Sequence, residues 1–201
     1  MIKDRLIFDD AKTRGRGNPR CVRFPTVGLD TCGDANGEIE YLPIFCQAEK
    51  DQSELLAVYC YQMGNLTQFT LVFSDEYYPV WLIDKIYRVF RILRYHRTAD
   101  IETFYMRIDE NSSPVEVIFS HDGKGTYSGE QSYDALFPKH YSETVPFENF
   151  ECNESRPYIY INTWNHLFSE KKNGSISYVE LRDYTVIHGD RKKAEEDYRI
   201  W

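Results

Sequence analysis

The chain lacks most of the features that name a functional class outright. No apolar run reaches the roughly 18 residues that a membrane-crossing helix needs. The opening residues, Met1 to Asp10, carry charge where a secretory signal requires an apolar stretch. The five cysteines, Cys21, Cys32, Cys46, Cys60 and Cys152, are odd in number, and no two stand in C-x-x-C spacing. That pattern argues against a zinc ribbon, a redox CxxC site and a disulfide framework. A G-x-S-x-G elbow, a Walker loop, a dinucleotide fingerprint and an H-E-x-x-H pair are all missing. So are internal repeats and low-complexity runs. Unpaired thiols and the missing signal point to a cytoplasmic address. The sequons at Asn65, Asn111, Asn153 and Asn173 are then read as turn chemistry.

What remains is an ordinary globular mixture of 201 residues, a length that suits one domain spanning 1–201. Residues 11–20, with two Gly and a Pro among Lys and Arg, read as a flexible basic loop. Residues 28–37 form a second loop, and residues 190–201 a charged C-terminal segment. Net charge is −8 but unevenly placed. Residues 1–25 hold seven basic side chains against three acidic, and residues 84–98 five against one. Both basic segments sit in an otherwise acidic chain, which repels a nucleic-acid backbone in general and leaves one local anion site possible if the two meet.

Hydrophobic period sets the element expectations. Leu55 to Met63 and Leu66 to Phe73 flank Gly64-Asn65, a good two-residue hairpin turn. Ile39 to Ala48 is strand-like, with Pro43 demoting it to an edge or splitting it. Leu82, Ile86, Val89 and Leu93 form one stripe of an amphipathic helix, with Asp84, Arg88, Arg91 and Tyr95 opposite. A second hairpin follows, turning within 109–114, and further strands are expected at Tyr158 to Asn162 and Ile176 to Leu181. Short helical pieces are expected at Tyr133 to Phe137 and Trp164 to Phe168, and an exposed helix near the end with Arg191–Glu195 and Lys192–Glu196 pairs. The C-terminal Ile200-Trp201 is expected to dock. The fold class is α+β: a mainly antiparallel sheet built from hairpins, one long amphipathic helix packed on it, and short additional helices.

Candidate chemistry is sparse. His121-Asp122 and His188-Gly189-Asp190 each follow a strand, and imidazole beside carboxylate suits general acid–base work or a divalent metal. His121, Asp122, His188 and Asp190 are therefore the candidate catalytic residues, although the same residue types are ordinary turn formers. Cys21 between Arg20 and Arg23 has the setting of an activated thiol, but the sequence supplies no partner imidazole. Arg14, Arg16 and Arg20 with Lys85, Arg88 and Arg91 form a candidate anion site, since guanidinium groups suit phosphate. A solvated arm and a solvated helix face explain the same residues. The sequence specifies no cofactor and no metal. Sixteen Tyr, many on outward strand positions, suit a macromolecular interface, and equally the use of aromatics as strand formers in a β-rich domain. The reading is a soluble binding or regulatory module that recognises another macromolecule, protein rather than nucleic acid or membrane, through an aromatic, charge-segregated surface. The alternative is a phosphate-ester hydrolase or nuclease that uses the His/Asp pairs and the basic site.

Overall fold

Gly64 adopts the left-handed φ of 61° that a tight hairpin needs, and it joins β2 (Leu55–Met63) to β3 (Leu66–Phe73). The computed structural model describes residues 41–201. The loops at 11–20 and 28–37, and with them Arg14, Arg16, Arg20 and Cys21, lie outside the described residues. From β3 the chain passes through α1 (Trp81–Tyr95) into a second hairpin, β4 (Asp100–Ile108) and β5 (Pro114–His121). Asp122 and Gly123, both at positive φ, turn β5 tightly into β6 (Lys124–Gly125). Beyond β7 (Glu143–Pro146) and β8 (Cys152–Asn153) come β9 (Arg156–Ile161), β10 (Phe168–Ser169), β11 (Tyr178–Leu181), β12 (Val186–His188) and α2 (Arg191–Asp197).

Two sheets result, and both are mixed. The smaller has the order β10-β9-β1-β11, with β1 spanning Ile44–Ala48 and β8 added on β9. The larger has the order β12-β2-β3-β4-β5-β6, with β7 added on β5. Strands joined by short turns pair antiparallel, but β1 with β9 and β12 with β2 are parallel. Their connections are long crossovers, which place no antiparallel constraint on the returning strand. The expected hairpin-built, mainly antiparallel sheet is corrected accordingly. Pro43 also acts differently from expectation. The strand starts directly after it and lies between β9 and β11 rather than at an edge. The Pro43 carbonyl accepts from Tyr184 Oη at 2.7 Å and Arg156 Nη2 at 3.2 Å, so it caps the strand start.

The core lies between the sheets. Phe45, Ile159, Ile161 and Phe168 of the smaller sheet meet Val58, Phe69, Leu71, Phe104, Met106, Val117 and Phe119 of the larger. Phe69 stacks on Phe104 at 5.2 Å, and Phe168 meets Phe104 edge-on at 5.2 Å. Such ring pairs add about 0.5–1.5 kcal/mol each beyond area burial. Cys60 is buried here as a small apolar residue, and Cys46, next to Phe45 on β1, is buried outside this cluster. Burial drives the Cys46 thiol up to about 12, far from thiolate at neutral pH. On the other face of the larger sheet, Ala57, Tyr59, Val72 and Ile101 pack with Ala194 of α2. Arg191–Glu195 and Lys192–Glu196 pair along α2 as the spacing predicts. Behind it, the Ile200 amide donates to the His96 carbonyl at 2.7 Å and Trp201 meets the His96 ring edge-on.

Helix α1 departs most from expectation. Among the described residues its apolar stripe packs on no sheet: Leu82, Ile86 and Leu93 are 62%, 68% and 68% exposed. The face turned inward is the one carrying Arg91, the helix's buried residue. The reason is electrostatic. Arg91 reaches Asp75 at 3.0 Å, Glu76 at 3.2 Å and Asp100 at 3.8 Å, a set that holds the helix by its polar side. Residues 133–137 form turns rather than a helix. The Ala135 carbonyl accepts from Trp164 Nε1 and the Leu136 carbonyl from Tyr78 Oη, so neither serves a helical ladder. Trp164 to Phe168 is likewise a turn leading into β10.

Candidate functional site

Ile83, Tyr87, Arg91 and Tyr95 fall at four-residue spacing along α1 and form the roof of a cavity of about 910 Å³. Its floor includes Gln68, Asp100, Ile101 and Glu102, and one wall is Tyr78, Phe137, His140 and Trp164. Arg97 and the start of α2, Asp190 to Lys192, close the other side. Aromatic rings and charges of both signs therefore face one space, the usual setting of a ligand site.

Three of the four candidate catalytic residues meet there. His121, Asp122 and Asp190 all line the cavity, and so does Arg91. His188 lies elsewhere, beside the Tyr61 ring at 6.0 Å. Each of the three is also engaged locally. His121 Nδ1 is 2.6 Å from Tyr105 Oη and its Nε2 3.3 Å from Asp122. Burial lowers its pKa, with Arg191 adding to the effect, so the ring is neutral at pH 7. Tyr105 in turn accepts from Gln68 Nε2 at 3.1 Å, and Gln68 Oε1 accepts the Arg191 amide at 2.8 Å. Asp190 is the N-cap of α2, accepting from the Lys193 amide at 2.9 Å. Of the helix cations, Arg88 pairs with Asp75 at 3.2 Å and Lys85 sits 5.9 Å from the Trp81 ring. Among the described residues no group of three His, Cys, Asp or Glu side chains is arranged to hold a metal ion.

The strongest electrostatic feature was not anticipated. His166, fully buried in the turn before β10, lies between two carboxylates. Its Nδ1 is 2.8 Å from Asp100 and its Nε2 3.2 Å from Asp51. Ser53 Oγ is 2.7 Å from the same Nε2. Ser53, His166 and Asp100 thus resemble a Ser-His-Asp triad in outline. The chemistry differs. Burial alone would lower the imidazole pKa, but the two carboxylates outweigh it and raise it to about 10. An imidazolium cannot take the serine proton, and Ser53 Oγ donates to Asp51 Oδ1 at 2.6 Å instead. Phe73 stacks over the ring at 3.8 Å. This is a buried ionic joint between the β1–β2 loop, β4 and the 163–167 turn.

Two acids beside this joint are perturbed the other way. Burial and the Asp100 charge raise Glu76 to about 8, and the same two causes raise Glu102 to about 8. Asp100, hydrogen-bonded to His166, is held down at about 2. Burial and the Asp100 charge thus disfavour ionisation of both glutamates, with Arg91 opposing the shift at Glu76. The only sequence hint was acid density around the helix, Asp75 and Glu76 before it and Asp100 and Glu102 after it. Comparison with protein-family models, curated proteins and solved structures found no match to this chain.

Outside the cavity, the far side of α1 is a surface of its own. Trp81, Leu82, Ile86, Val89, Phe90 and Leu93 are each more than half exposed, and Lys85, Arg88 and Arg94 stand beside them. The 82/86/89/93 spacing runs four, three, four, the period of a coiled-coil seam.

Proposed function

We propose that this protein is a recognition module and that the outer face of α1 is its docking surface for an amphipathic helix of a partner protein flanked by acidic residues. One observation carries the reading: an apolar stripe at coiled-coil spacing turned to solvent on a helix fixed from behind by Arg91. The occupant follows from spacing and charge. A seam of that period accepts another helix, and Lys85 and Arg94 favour acids opposite them. Covering each of the four stripe residues contributes about 1–2 kcal/mol, given their partial exposure.

The test uses the full chain and a synthetic helical peptide with leucines at the same spacing and flanking glutamates. Anisotropy should show binding that Ile86→Glu weakens at least tenfold and that rising salt weakens. A lysine-flanked peptide should bind at least tenfold less well. A benzoylphenylalanine crosslinker at Leu82 should capture the peptide. Equal binding by Ile86→Glu, crosslinks within the chain to residues 1–40, crosslinked dimers of the chain, or preferential capture by anionic vesicles would each overturn the assignment.

A second reading, hydrolysis of a phosphate ester in the cavity, draws support from His121, Asp122 and Asp190 lining one space with Glu76 and Glu102, whose pKa values burial and the Asp100 charge raise. The local engagements of His121 and Asp190, and the position of His188 outside that space, leave it the weaker of the two.

A further inference from the structure

We propose that the cavity under α1 binds an oxyanion, phosphate or carboxylate, on the guanidinium group of Arg97. The inference is independent of what docks on the outer face of the helix. Arg97 is 8% exposed and lines the cavity. Its Nη1 donates to the Ala99 carbonyl, and the guanidinium lies 5.6 Å from the Tyr95 ring centroid. No carboxylate of the described residues lies within ion-pair distance of it, whereas Arg91, at 2% exposed, holds three.

The contrast is the argument. A buried guanidinium without a counter-ion is costly, and in folded proteins such groups are paired or bind a ligand. The group is always protonated in practice, so it cannot escape the cost by neutralising. Burial works against the charge here, lowering the Arg97 pKa; Asp100 and Glu195 oppose that effect from beyond ion-pair distance, and Arg191 and Arg91 add to it. The Arg91 Nη2 is also buried without a hydrogen-bond partner and faces the same cavity. Two guanidinium groups thus have donor capacity directed at one space, and planar guanidinium donors match the oxygens of phosphate and carboxylate. Glu102 on the floor is pushed toward its neutral form by burial and the Asp100 charge, while Asp100, Asp122, Asp190 and Glu195 line the same cavity, so the guanidinium side is where an anion can seat.

The test is binding of inorganic phosphate and of succinate at pH 7, followed by calorimetry, by Trp164 fluorescence and by the thermal midpoint. Wild type should bind one of them, and the tighter of the two identifies the source of the oxyanion. Arg97→Gln should weaken that binding at least tenfold, and Arg97→Lys, which keeps charge but not the fork, at least threefold. Arg107→Gln, whose native partner is Glu116 at 2.7 Å away from the cavity, should bind as wild type does. Without added anion, Arg97→Gln should melt no lower than wild type, because it removes an unpaired buried charge. The proposal fails if neither anion binds, if Arg97→Gln binds like wild type, or if Arg97→Gln lowers the midpoint with no anion present, which would make Arg97 a structural ion-pair partner.

Discussion

Replacing His166 with Gln isolates the buried ionic joint. The wild-type imidazolium contacts Asp100 at 2.8 Å and Asp51 at 3.2 Å, with all three side chains at most one-tenth exposed. His166→Gln removes the cation and leaves both acids in place, an uncompensated buried charge that costs about 3–5 kcal/mol. Against a total stability of about 5–15 kcal/mol this is a large fraction. With a urea slope of about 2 kcal/mol per molar, the midpoint should fall by roughly 2 M. Circular dichroism and tryptophan fluorescence in urea at pH 7 measure it. The pH dependence supplies a sharper check. The His166 pKa is raised from 6.5 to about 10 on folding, so its contribution is fully present below pH 6.5 and is lost as pH rises through 10. Glu76, raised from 4.5 to about 8, adds a slope of the same sign, but only up to about pH 8. Between pH 8 and 10 wild type should therefore lose about 1.4 kcal/mol per pH unit from His166, a slope that His166→Gln lacks. Asp100 acts in the opposite direction, stabilising above its unfolded value of 3.8 and losing that contribution as pH falls through about 2. A loss below about 1 kcal/mol, which is smaller than a buried pair can cost, or parallel slopes for the two proteins between pH 8 and 10, would refute the reasoning.

The two faces of α1 should respond oppositely to substitution. Arg91→Met leaves Asp75, Glu76 and Asp100 without their shared cation and should cost at least about 3 kcal/mol in urea unfolding, whereas Leu93→Ser, at a position 68% exposed, should stay within about 0.5 kcal/mol. Gly125→Ala should be destabilising by about 1–3 kcal/mol, because a Cβ there would fall on the Tyr141 carbonyl. The same variant should speed hydrogen exchange at the Tyr141 amide, which bonds the Tyr127 carbonyl at 3.1 Å.

Local elements were legible where one rule acted alone. The Gly64-Asn65 hairpin, the 100–121 hairpin and the C-terminal helix follow from turn residues and period. The parallel pairs β1·β9 and β12·β2 were not legible, because nothing local encodes which distant strand fills a sheet position. The candidate site was legible in part. His121, Asp122 and Asp190 were found because turn chemistry marks strand ends. His166, Glu76, Glu102 and Arg97 were missed because burial and partners, absent from a linear reading, make them unusual.

The orientation of α1 shows how two sound rules compete. An apolar stripe at 82, 86, 89 and 93 predicts burial of that face. A face carrying Arg91, with Asp75 and Glu76 six and five residues before the helix and Asp100 five after it, can bury instead if all three acids converge on the guanidinium. Both faces cannot lie on the same body. Turning the polar side inward leaves several apolar side chains in water at about 1–2 kcal/mol each, a deficit that is recovered only when something covers them. The inward set fixes the helix, the outward set is left uncovered by the described residues, and that division is what the proposed docking surface needs: a rigid backbone behind and exposed apolar anchors in front.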